Sequence, residues 1–117
     1  MIHGSIHGED DHMLLATVSR AATAWERMKG LLGSAPLQAN EGLLIDPCAS
    51  IHTFFMRYPI DLVYLDRQYV IQKLVRQIRP WRMSACPSAN MALELAAGQI
   101  DKLELKIDMQ LIWNENE

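Results

Sequence analysis

The apolar residues of this chain come in short runs broken by charges, prolines and turn formers, without the repeated long helical crossovers that a parallel sheet requires. Leu14 to Val18, Gly42 to Ile45, Ile51 to Met56, Ile60 to Leu65 and Met91 to Leu95 each read as a strand, with Pro47 stopping the second of them. Tyr69 to Val75 also fits a helical stripe through Val70, Ile71, Leu74, Val75 and Ile78. The short connection Asp66–Arg67–Gln68 and the aromatic and β-branched start favour a strand there. Arg79 to Pro87 holds two prolines and is expected as an irregular loop. The clearest alternation comes last: Leu103, Leu105, Ile107, Met109, Leu111 and Trp113 share one strand face opposite Glu104, Lys106, Asp108 and Gln110. It predicts a half-buried antiparallel strand, preceded by a turn or short helix at 97–102.

One helix is expected, and early. Thr23 and Glu26 have capping-box spacing, Trp25, Met28 and Leu32 recur at three- and four-residue intervals, and Gly33 stands where a helix can end in a left-handed turn. Short strands with a single early helix predict a mainly β (α+β) fold, an antiparallel β-sandwich or partly closed barrel. At 117 residues the chain has the size of one domain, placed at 13–114. Residues 1–12 are expected as a disordered polar tail. His3, His7, His12, Glu9, Asp10 and Asp11 collect there, but as solvated groups, and no metal site is assigned.

A net charge of -3 gives no footprint for nucleic acid. No apolar run approaches the roughly 20 residues of a membrane span. The polar, acidic start lacks the pattern of a secretory leader, so the sequence as it stands reads as a soluble cytoplasmic protein. Cys48 and Cys86 form no disulfide framework and are expected as free thiols.

The segment from Ser50 to Asp66, Ser-Ile-His-Thr-Phe-Phe-Met-Arg-Tyr-Pro-Ile-Asp-Leu-Val-Tyr-Leu-Asp, resembles the bacterial and archaeal family called domain of unknown function 192. Glu26 to Gly33 upstream, and Arg79 to Arg82 with Leu93 to Gly98 downstream, follow in that family's order. The similarity runs from about Leu14 to Trp113 and implies a compact, mainly β domain; it implies no activity. Within it Arg27, Gly30, Pro59 and Gly98 are candidate structural residues. Ser34 departs from an arginine common in the family, and Ile107–Asp108 from a Gly-Asp turn.

His52 has the most adaptable chemistry of the matched segment, as proton acceptor, metal ligand or hydrogen-bond donor; it equally suits a structural tie. Asp61 is a charge inside an apolar strand and needs compensation, from Arg27, from His52 or from backbone amides. Glu94 interrupts Leu93 and Leu95 and points to the other face, towards water or into a cleft. Arg79, Trp81 and Arg82 on a proline-containing loop suit an anionic or aromatic ligand. Cys48 and Ser50 lie close to His52 in sequence but in no nucleophile motif.

Two functions follow. The first is a noncatalytic accessory module that binds a small molecule or a protein through His52, Asp61, Glu94 and Trp81. The second is a small hydrolase, metal-assisted or not, that uses His52 with Asp61 or Glu94. The residues name no cofactor and leave enzyme status and oligomeric state open.

Overall fold

A strand that is apolar on both faces is stable only inside a sheet covered on both sides. In a computed structural model of the chain, which describes residues 1–23, 26–27, 30–31 and 35–116, Ile60–Leu65 is such a strand, buried at every position. Nine strands and one short helix are described: β1 Ile2–His7, β2 Met13–Ala21, β3 Glu41–Ile45, β4 Ser50–His52, β5 Ile60–Leu65, β6 Ile71–Ile78, β7 Met83–Ala85, β8 Met91–Ala96, α1 Gln99–Lys102 and β9 Ile112–Glu115. Seven of them make one sheet in the order β6-β5-β8-β3-β2-β1-β9, while β4 and β7 pair separately. The protein is mainly β, as expected. The sheet is mixed, however, because β2 and β3 run parallel, from Thr17 opposite Glu41 to Ala21 opposite Ile45.

Parallel neighbours need a long crossover, and here it is the stretch that carries the expected helix. Its N-terminal turn has the capping box: the Glu26 amide donates to Thr23 Oγ1 at 3.1 Å, and Glu26 Oε1 accepts from the Thr23 amide at 3.3 Å. The amides of Arg27 and Gly30 donate to the Thr23 and Glu26 carbonyls. The stripe at Trp25, Met28 and Leu32 and the terminating Gly33 lie outside the described residues.

Strand alternation divides the core between the two sheet faces. Leu44, Val63, Leu65, Leu93 and Leu95 pack on one face, covered by Ile100, Leu105 and Leu111. Leu43, Ile45, Leu62, Tyr64 and Ala92 pack on the other, covered by Leu31, Ile51 and Met56. Of Tyr69 to Val75, the part from Ile71 onward is strand, the first part of β6, while Tyr69 turns in a left-handed conformation (φ 64°) ahead of it. Among the described residues no helix is long and apolar enough to cross a membrane.

Three expectations are corrected. Residues 2–7, expected in a polar tail, form β1 between β2 and β9, with Gly4 and Ile6 inward and His3, Ser5 and His7 on the opposite face. The outward residues made a half-buried strand look like a tail. Strand structure after Ile51 ends at His52, because Thr53 to Met56 turns, the Met56 amide donating to the Thr53 carbonyl. Residues 103–111 are not a strand. Left-handed Glu104 (φ 56°) and Asp108 (φ 73°) break the extended chain. The alternation is met instead by turns that bury Leu105 and Leu111 and expose Ile107. Asp108 and Leu111 donate to Ile71 and Tyr69, and only Ile112–Glu115 enters the sheet. The loop at 79–87 contains the three-residue strand β7.

Candidate functional site

Glu94 lies on central strand β8, opposite Leu43 of β3 and Leu62 of β5, so its side chain shares the face of Ala92 and Leu62. It does not face water: the residue is 3% exposed, and Oε2 is buried with no hydrogen-bond partner among the described residues. Burial alone pushes its carboxyl up to about 8. The group is therefore mostly neutral at pH 7, offering one O–H donor beside one carbonyl acceptor.

Above it is a cavity of about 250 Å³, whose polar lining is Arg27, Cys48, Ser50, His52 and Glu94. Pro47 ends β3, and the chain then folds back over the sheet through Cys48 into β4, which places His52 on this wall. The opposite wall is the helical turn of Arg27 and Gly30. Gly30 has φ +49°, and an added Cβ would stand 3.7 Å from Glu94 Oε1, so glycine both permits the turn and leaves the carboxyl open. Arg27 Nη1 donates to the Ala22 carbonyl at 2.8 Å. Cys48 is no activated nucleophile: burial pushes its thiol up, and Sγ donates to the Ser50 carbonyl. Cys48 and Cys86 are free.

Asp61 is elsewhere. It pairs across from Leu95, so it occupies the sheet face opposite Glu94, fully buried. Its oxygens accept from the amides of Gln77 and Ile100, each at 2.8 Å, so of the expected partners it is backbone amides, and not Arg27 or His52, that compensate it. It thus ties β6 to α1, which Gly98 opens in a left-handed conformation (φ 92°). Pro59 is exposed just ahead of β5. His52 and Glu94 come together; Asp61 does not join them. Among the described residues no three His, Cys, Asp or Glu side chains are grouped to hold a metal ion.

Trp81, Arg79 and Arg82 are exposed on the turn before β7. Rings connect them to the cavity: His52 is 5.0 Å from Phe54, Phe54 stacks at 5.8 Å on Trp81, and Phe55 tilts against Trp81 at 4.7 Å. Sequence reasoning missed Thr53, which joins these turns. It is fully buried; its amide and hydroxyl donate to the carbonyls of Arg82 and Arg79, and its carbonyl and hydroxyl oxygens accept from the amides of Trp81 and Arg82. A threonine amid aromatic residues was the available signal. Arg27, read as structural, also lines the cavity.

The geometry defines a mainly β protein whose central strand carries a buried carboxyl to the floor of a small open cavity. The chain belongs to the family DUF192, described as an uncharacterized ACR, whose model matches residues 6–113. A UPF0127 protein of Thermococcus sibiricus is 37% identical over 70 residues, 59% of this chain; the chain matches 45% of that relative, under half its length. A candidate transcription regulator from Sinorhizobium meliloti has a similar structure, with TM-score 0.81 and 18% identity, over 96% of this chain and 92% of that one. A protein of unknown function from Novosphingobium aromaticivorans aligns with TM-score 0.79 and 19% identity, over 95% and 84% respectively. At these identities the two structures show the fold alone.

Proposed function

We propose that this chain is a noncatalytic binding module that takes a small ligand bearing a neutral donor–acceptor pair, such as a primary amide, against Glu94. The supporting observation is the Oε2 atom, buried without a partner at the floor of the cavity. Leaving such an atom unpaired costs about 1–3 kcal/mol, which a complementary ligand recovers. A protonated carboxyl matches an amide through two parallel hydrogen bonds, with His52 at the cavity wall for a second polar group. A larger cavity beside Arg20, about 380 Å³, is a weaker candidate. There Arg20 is already satisfied by Asp46 at 2.5 Å and the Tyr69 hydroxyl at 2.6 Å. We read 13–114 as one domain with β1 added to it, acting in the cytoplasm. The net charge of -3 supports a role without nucleic acid.

Thermal shift with a panel of small primary amides tests the reading. Amides are expected to raise the Tm of the wild type at pH 6 and to lose effect at pH 9, where Glu94 ionises. Glu94→Leu should respond at neither pH. No stabilisation of the wild type, or equal stabilisation of Glu94→Leu, overturns the reading.

A further inference from the structure

We propose that the patch formed by Phe55, Trp81 and Met83 docks this protein onto the interfacial region of an anionic lipid bilayer. The three side chains are 72%, 56% and 76% exposed, and they project from two adjoining turns and the first residue of β7. Large apolar groups clustered in water are a cost that an interaction surface explains. Two of them sit at left-handed positions, Phe55 at φ 66° and Trp81 at φ 64°. Residues other than glycine hold that conformation when the surroundings enforce it, and here the hydrogen bonds to Thr53 do so. The patch is thus a built, rigid projection.

The occupant follows from charge and shape. Arg57, Arg79 and Arg82 are all exposed around the patch. Segments 50–60 and 77–91, which build this end of the molecule, contain no Asp or Glu, although the whole chain is acidic. Among the described residues Arg57 and Arg79 make no ion pair. Guanidinium groups beside Trp and Phe match the phosphates and acyl boundary of a headgroup layer. The apolar groups protrude rather than line a groove, which suits insertion into lipid better than the capture of a peptide. Single-stranded nucleic acid would need open ring faces for base stacking. Trp81 instead turns one face to Phe54, at 24° between planes, and meets Phe55 at 59°.

Co-sedimentation with vesicles tests this, with phosphatidylcholine alone compared with phosphatidylcholine plus phosphatidylserine at about 0.15 M salt. The protein is expected to pellet with the anionic vesicles and to bind roughly fivefold more weakly for each of Arg57→Gln, Arg79→Gln and Arg82→Gln. Phe55→Ser with Trp81→Ser should abolish pelleting. Brominated lipid should quench the fluorescence of the wild type, and Trp81→Phe should remove that quenching while pelleting persists. The arginine variants keep the test intact where an aromatic variant fails to fold. Absence of pelleting with phosphatidylserine vesicles, or unchanged affinity in all patch variants, overturns the proposal. Patch-dependent binding of a single-stranded oligonucleotide in place of vesicles does the same.

Discussion

Glu94 makes stability depend on pH in a direction opposite to that of an ordinary paired carboxylate. Its carboxyl titrates near 8 in the fold, against an ordinary value of 4.5, so between those values the folded state holds a proton that the unfolded state has released. Its contribution is therefore complete below about pH 4.5 and is lost as pH rises through 8. The full shift corresponds to about 5 kcal/mol. Glu94→Gln should match the wild type in urea near pH 5 and exceed it by several kcal/mol near pH 9; parallel pH profiles for the two proteins would show that Glu94 is not buried as described. Asp61 holds the fold through the two backbone amides that donate to its carboxylate. Asp61→Ala should cost about 2–4 kcal/mol by leaving both buried, with urea unfolding as the measure; a loss below 1 kcal/mol would mean that water replaces the carboxylate. A charge within an apolar strand announced that Asp61 needed partners. Which partners it found was illegible, because Gln77 and Ile100 reach it only through the long-range pairing of β5 with β6 and the position of α1. Glu94 was legible as the residue on the other face of Leu93 and Leu95. That this face is covered by Cys48 to His52 and by Arg27 and Gly30 is a tertiary matter.

Among the elements, the turns at 53–56 and 80–82 stand or fall with Thr53. Thr53→Val keeps the shape but removes the hydroxyl that donates to Arg79 and accepts from Arg82. A loss of about 1–3 kcal/mol is expected, with faster amide hydrogen exchange at Trp81 and Arg82 and unchanged exchange in β5 and β8. Uniform exchange across the chain would instead mean that the turns do not open separately. The same contrast explains which elements could be read from sequence. β5 was legible because apolarity on both faces, interrupted by Asp61 alone and bounded by Pro59 and Asp66, leaves few alternatives to a buried strand. Residues 103–111 were not, because period two demands only that alternate side chains find the core. Turns at Glu104 and Asp108 satisfy that as well as a strand does, and bury Leu105 and Leu111 without a ladder. The parallel pairing of β2 with β3 was hidden for a related reason: one early helix serves equally as a crossover or as a cap on an antiparallel sheet.

At the scale of the whole molecule, the two ends of the sequence are joined through β1, which pairs with β2 by Gly4 to Val18 and with β9 by Gly4 to Glu115. The segment ahead of β9 is bonded in turn to residues 69–71, just before and at the start of β6 at the other end of the sheet. Gly4 is the point where this arrangement has least tolerance. A Cβ there would meet the Asn114 carbonyl oxygen and stand 2.6 Å from Cη2 of Trp113, which packs over the glycine. The nearer obstacle is backbone, so relief requires β1 and β9 to move apart rather than a side chain to swing away. Gly4→Ala should therefore cost at least as much as typical overpacking, about 1–3 kcal/mol. It should also raise hydrogen exchange at Ile112 to Glu115 while β5 and β8 stay protected. The pairing of His7 with Met13, at the far end of β1 from Gly4, should persist. A Gly4→Ala protein with an unchanged urea midpoint would show that β1 is the dispensable tail its polar residues suggest, and not the strand that ties the carboxy terminus to the sheet.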